Sequence, residues 1–178
     1  MKNIILKNFN TFALVALLAG FFCTINAPAF ADKTKLHHYF HDFPWIGLVS
    51  NEITYGPITV SNVHLNKGGK VALVKPNDKI KGNLHYKIDA KSLNSFHLYH
   101  LVVGIKKIGA QDCISHSFGI WNSKGKGNFT LQAPSEPGVY EVRFSYFEGA
   151  TCQSARKAWN EEASDPSSAA TIAVVIVE

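Results

Sequence analysis

Ile80-Lys81-Gly82-Asn83-Leu84-His85-Tyr86-Lys87-Ile88 is the stretch that decides the architecture. Ile80, Leu84, Tyr86 and Ile88 fall on one face of an extended chain, and Lys79, Lys81, Asn83, His85 and Lys87 fall on the other. Successive side chains of a strand point to opposite faces, so this period of two predicts a half-buried strand with a wet outer face. The alternation recurs outward along the chain. Ile114, His116, Phe118 and Ile120 alternate with Ser115, Ser117 and Gly119. Phe129 and Leu131 alternate with Thr130 and Gln132, and Tyr140, Val142, Phe144 and Tyr146 with Glu141, Arg143 and Ser145. Between Phe96 and Ile105 both faces are apolar, as in a central strand, and the β-branched run Thr171 to Val177 reads as the last strand. Val60 to Val63 and Val71 to Val74 add two shorter runs. Lys67-Gly68-Gly69, Lys75-Pro76-Asn77-Asp78, Gly125-Lys126-Gly127 and Pro134-Ser135-Glu136-Pro137-Gly138 read as the turns between runs. Roughly eight short strands at near-regular spacing predict an all-β sandwich or barrel. A helical stripe of Ala155, Ala158 and Trp159 falls in Gln153 to Glu162, ahead of the last strand.

The N-terminal segment reads as an export signal. Lys2 and Lys7 precede the apolar run Phe12 to Phe22, and Ala29-Phe30-Ala31 is an A-x-A cleavage pattern that leaves Asp32 as the new N-terminus. The apolar run is short for a transmembrane span, and Phe21-Phe22 before Cys23 disfavours a lipoprotein site. The expected organisation is a signal peptide over 1–31, an N-terminal arm over 32–56 and a β-sandwich domain over 57–178. No membrane span is expected after cleavage. The secreted or periplasmic chain keeps sixteen of the eighteen Lys and Arg against thirteen acids, a net +3. That mild excess does not suggest a nucleic-acid binder. Nine lysines fall between Lys67 and Lys107 against Asp78 and Asp89 alone, which places positive charge on one edge of the domain. Solubility is the simplest account of it.

Leu131-Gln132-Ala133-Pro134-Ser135-Glu136-Pro137-Gly138-Val139-Tyr140-Glu141-Val142-Arg143-Phe144 resembles the late-strand signature of immunoglobulin-like and fibronectin-type domains. In those domains Pro-Gly turns the chain and Gly-x-Tyr opens the next strand. The resemblance implies an immunoglobulin-like antiparallel β-sandwich of about eight strands, with a short helix in the connection before the last strand. It also implies a structural role for Gly138 and Tyr140, the Tyr140 hydroxyl bonding backbone upstream. Val142 stands where antibody domains carry a cysteine. As a whole the chain also resembles small substrates of bacterial type II secretion.

Two cysteines remain after cleavage, Cys113 and Cys152. In an oxidising compartment such a pair is most simply a disulfide; a redox or metal pair is the alternative, without the C-x-x-C spacing that would favour it. His37 and His41 would share a helix face at i, i+4, a workable metal pair needing a third ligand such as Asp42, His64 or His85. His97 and His100 fall on opposite faces of one strand, and His116 sits on an apolar face where a hydrogen-bonded core histidine is the simpler reading. No G-x-S-x-G, H-E-x-x-H or P-loop pattern occurs, and no cofactor is expected. Trp121 ends a strand beside Asn122-Ser123-Lys124, where an exposed indole would stack on a sugar or anchor a protein interface. Phe147, Glu148 and Thr151 open a connection that the Cys113–Cys152 bridge would staple, and a stapled loop binds at lower entropy cost.

These features point first to an exported non-catalytic module that engages a protein or glycan through Trp121, Phe147, Glu148 and Thr151. A periplasmic metal-binding protein using His37 and His41 is the alternative, and a secreted hydrolase with loop-borne carboxylates the second alternative. The intact mass of the exported protein should correspond to a start at Asp32 with the Cys113 and Cys152 thiol hydrogens missing. Retention of residues 1–31 in that mass would refute the signal.

Overall fold

The computed structural model describes residues 39, 49–89, 91, 98–118, 124–161, 166 and 170–178, with the backbone alone at 115–118 and 161. The described strands are β1 Glu52–Tyr55, β2 Ile58–Leu65, β3 Val71–Val74, β4 Lys79–Ile88, β5 Leu98–Ile105, β6 Gly109–Phe118, β7 Lys124–Gln132, β8 Gly138–Glu148 and β9 Thr171–Val177. The helix α1, Cys152–Glu161, precedes β9. Nine strands thus stand where about eight were expected. The addition is β1, which pairs with β2 from Glu52 opposite Ser61 to Tyr55 opposite Ile58 and lies within the expected arm.

The strands form two sheets, a four-stranded one in the order β1-β2-β4-β7 and a five-stranded one in the order β3-β9-β8-β5-β6. The fold is all-β, and one core joins the sheets. Ile80 and Leu84 of β4 and Phe129 and Leu131 of β7 cluster with Leu101 and Val103 of β5 and Val142 and Phe144 of β8. Tyr55 meets Phe144 edge-on, ring centroids 6.1 Å apart. Every pair is antiparallel except β3 with β9, which run parallel. That departs from the purely antiparallel expectation. A parallel pair requires a crossover between its strands, and here the chain from β4 to α1 separates β3 from β9.

Gly125-Lys126-Gly127, expected as a turn, lies inside β7. Its glycines serve close approach. A Cβ on Gly127 would sit 1.6 Å from Ile114 Cγ2, and one on Gly125 would sit 2.6 Å from Tyr86 Oη. Inward-facing side chains therefore occupy the space over bare backbone, a recurrent use of glycine within strands. The outer edge of β7 is closed by side chains of β6. Thr130 N–H donates to Asp112 Oδ2 at 2.7 Å, Gln132 N–H donates to Gln111 Oε1 at 2.6 Å, and Gln111 Nε2 donates to Gln132 O at 3.3 Å. Edge donors and acceptors left open invite pairing with another chain; these are satisfied within the fold.

The outer face of the five-stranded sheet is covered. Ala155 and Trp159 of α1 pack on Val102, Ala110, Cys113 and Phe147. Tyr39 and Val49 pack on Val174 and Ile176, so part of the expected arm lies against β9. Between these two apolar patches Glu141 gathers Lys106 Nζ at 3.0 Å, Arg143 Nη2 at 2.6 Å and Thr171 Oγ1 at 2.7 Å. Arg143 is 4% exposed and also donates to the Pro166 carbonyl. Tyr140 Oη donates to Glu136 O at 2.9 Å, the upstream backbone contact that the resemblance implies. Gly138 opens β8 and leaves room for the Tyr140 ring, which a Cβ there would meet at 3.3 Å.

Burial raises the Glu141 pKa, but hydrogen bonds from Thr171, Arg143 and Lys106 and the Arg143 charge outweigh it, so the carboxyl titrates below its ordinary value. A depressed folded pKa contributes stability that is complete above the unfolded glutamate value of about 4.3 and is lost as pH falls through the folded one. Glu141→Gln should therefore cost about 2 kcal/mol in urea unfolding at pH 7, less than for a fully buried pair, and should flatten the acid limb below about pH 4. An unchanged acid limb in the variant would show that Glu141 does not govern it.

Candidate functional site

The end of the fold singled out from sequence is built around the bridge. Cys113, in the middle of β6, is bonded to Cys152, the first residue of α1, with a Cα–Cα distance of 5.8 Å. Cys113 lies within an edge strand, so the bridge ties the helix start to a sheet edge. Thr151 caps that helix. Ser154 N–H donates to Thr151 Oγ1 at 3.2 Å and Thr151 N–H donates to Ser154 Oγ at 3.1 Å, the reciprocal pattern of a capping box. At the far end, Ala110 N–H donates to Asn160 Oδ1 at 3.0 Å.

The segment before the helix is anchored as firmly. Phe147 is half-buried against Trp159, ring centroids 6.2 Å apart. His100, 5% exposed, lies with Nε2 3.0 Å from the Gly149 carbonyl, so that nitrogen carries the proton and donates. Gly149 N–H donates to Leu98 O at 3.0 Å. Of the residues expected to bind a partner here, Phe147 and Thr151 thus have structural work, while Glu148 is exposed at the end of β8. Trp121 and the expected metal pair His37 and His41 lie outside the described residues. Among the described residues no three or more His, Cys, Asp or Glu side chains gather as a metal site.

The second surface is the outer face of the four-stranded sheet. Across β4 and β7 the register sets Lys79 opposite Gln132, Lys81 opposite Thr130, Asn83 opposite Asn128, His85 opposite Lys126 and Lys87 opposite Lys124. β2 adds Thr59 beside Lys87, Ser61 beside His85 and His64 beside Asn83. β1 adds Thr54 and Glu52 at the edge. Lys79, Lys81, Lys87, Lys124 and Lys126 are all exposed, and none forms an ion pair among the described residues. Glu52 is the single carboxylate among the side chains of these rows.

Local hydrogen bonds hold the polar members of this face in place. His64 Nδ1 lies 2.7 Å from Gly68 O and so donates to it, leaving Nε2 for solvent or ligand. Asn62, at φ 51° in the β2 irregularity, places its amide nitrogen 3.2 Å from His85 Nδ1. Thr54 and Thr59 hydroxyls are 2.9 Å apart across β1 and β2. Sequence reasoning saw the β4 lysines as a wet face but not the juxtaposition with Lys124 and Lys126. That pairing depends on register between strands far apart in sequence. The alternation of Lys124, Lys126 and Asn128 with Gly125 and Gly127 is the signal available in one dimension, and there it reads as a turn.

Thr151→Ala should cost about 1 kcal/mol by loss of the cap. Replacing both cysteines by serine should cost about 4 kcal/mol in the chain-entropy account of a bridge closing a loop of this length. Because cap and bridge secure the same helix start, the combined variant should depart from additivity in chemical denaturation. Strict additivity would place them in independent units.

No protein-family model matches this sequence, and no curated protein matches it, so the functional reading rests on the geometry of the chain itself.

Proposed function

We propose that the protein is an exported, non-catalytic binding module that engages an anionic partner through the outer face of the four-stranded sheet. The scaffold reading is an immunoglobulin-like sandwich. Strand order supports it: β9-β8-β5-β6 matches the G-F-C-C′ order of that fold and β2-β4-β7 matches A-B-E. The Tyr140 hydroxyl bond to the Glu136 carbonyl supports it further as a tyrosine corner. Such scaffolds serve unrelated functions, so the partner is argued from the surface.

The observation that carries the reading is Lys87 directly opposite Lys124. Like charges opposed across an antiparallel pair destabilise it by a few tenths of a kcal/mol. Lys106 and Arg143 on the opposite sheet each pair with Glu141, whereas neither lysine of this pair forms an ion pair among the described residues. A cost retained on a flat exposed face is accounted for by an external anion. Long-range attraction to such a face accelerates encounter and weakens with salt.

On an immobilised sulfated polyanion the protein should be retained at low salt and released as salt rises. The K87Q/K124Q variant should elute earlier, by about 1 kcal/mol of binding for each lysine removed. Its unfolding free energy should be unchanged or higher by a few tenths of a kcal/mol. Identical elution of the variant and the parent protein would refute the basic face as the binding surface.

A further inference from the structure

The arrangement of groups on this face narrows the class of anion. Positive charge falls in two groups along β4. Lys87, Lys124 and Lys126 cluster at one end and Lys79 and Lys81 at the other. Lys81 and Lys87 are six residues apart on one strand, about 20 Å at the usual rise. The single row between the two groups carries Asn83, Asn128 and His64, with Thr130 beside Lys81. These are uncharged side chains that offer amide, imidazole and hydroxyl groups for hydrogen bonding.

We infer that the face takes a linear anionic polysaccharide lying along β4, its carboxylates or sulfates on the two lysine groups and its hydroxyls on the amide row between. This inference rests on the basic-face reading and goes beyond it by naming the partner class. Two features of the surface favour a glycan over other polyanions. Single-stranded nucleic acid is held by aromatic platforms on which bases stack. Among the side chains that the register places on this face, none is Phe, Tyr or Trp, and the imidazoles of His64 and His85 are engaged by Gly68 O and the Asn62 amide. An anionic membrane surface is met by basic residues accompanied by apolar anchors, and the outward-facing positions here are polar throughout. A chain of sugars presents hydroxyls between its charges, and Asn83 and Asn128 offer amide donors and acceptors to them.

The test compares purified protein binding to polygalacturonate fragments of graded length, the methyl-esterified form of the same polymer, poly-glutamate and single-stranded DNA, all at one salt concentration. Affinity for polygalacturonate should rise with length until the fragment spans about 20 Å, the strand distance from Lys81 to Lys87, and then level off. The methyl ester should not bind. Lys87→Gln should weaken polygalacturonate binding about fivefold. Asn83→Ala with Asn128→Ala should weaken it by about fivefold for each hydrogen bond lost, without changing binding to poly-glutamate. If poly-glutamate or DNA binds as tightly and the asparagine variant is indifferent to the ligand, the polysaccharide inference fails while the basic-face reading stands. If Lys87→Gln leaves binding to every polyanion unchanged, both fail.

Discussion

From Lys79 opposite Gln132 to Lys87 opposite Lys124, β4 and β7 pair without a slip, and much of the molecule follows from that register. Shifting it by one residue would turn Phe129 and Leu131 out to solvent and Lys126 and Thr130 into the core. The inner face is specified at the same time by the outer one. Gly125 and Gly127 sit where Tyr86 and Ile114 cross the backbone, so the inner residues of β7 are smallest where those side chains need room. Asp112 and Gln111 can satisfy β7 edge groups only if Thr130 and Gln132 stand where this register puts them. Core packing, edge closure and the basic face therefore share one constraint.

The two sheets then differ in how their outer faces are treated. Helix α1, the Glu141 network and the Tyr39–Val49 contact cover the five-stranded sheet. Its outer side chains include Val102, Phe147, Val174 and Ile176, which would otherwise be apolar surface in water. The outer rows of β2, β4 and β7 carry Thr, Ser, Asn, His and Lys, so no hydrophobic gain draws an internal element over them. A face whose residues resist covering by the chain itself, and which concentrates one sign of charge, is suited to a partner that is itself charged and hydrated.

Much of the scaffold was legible in the sequence because period-two alternation reports a buried face directly. β4, β8 and β9 lie close to where that pattern places them, and the stripe of Ala155 and Trp159 marks the buried side of α1. Tyr140 was legible because its corner contact is local, reaching four residues back. β1 was not, since its four residues alternate weakly and gain their place from β2. The glycines of β7 imitate a turn because glycine used for close approach and glycine used for bending look alike in one dimension. The parallel pairing of β3 with β9 and the meeting of Lys87 with Lys124 depend on residues far apart in the chain, which local pattern does not encode. The same limit explains Phe147 and Thr151. Local pattern does not show that Phe147 packs on Trp159 or that Thr151, though exposed, caps the helix through Ser154.

The energetics of the two ends of the molecule bear on why an unbalanced face persists. Lysines opposed on an exposed strand pair cost a few tenths of a kcal/mol, because water screens most of their repulsion. The Cys113–Cys152 bridge is worth about ten times that in the chain-entropy account, and it acts chiefly by restricting the unfolded chain. A small domain whose stability comes from a continuous two-sheet core, a covalent staple and a satisfied ion network can carry local repulsion on one surface without loss of the fold. A polyanion on the proposed surface would relieve the repulsion, so the free-energy difference between bound and free states would grow by the amount the empty face had cost. That coupling holds only while the lysine positions are fixed, and the unbroken β4–β7 register fixes them.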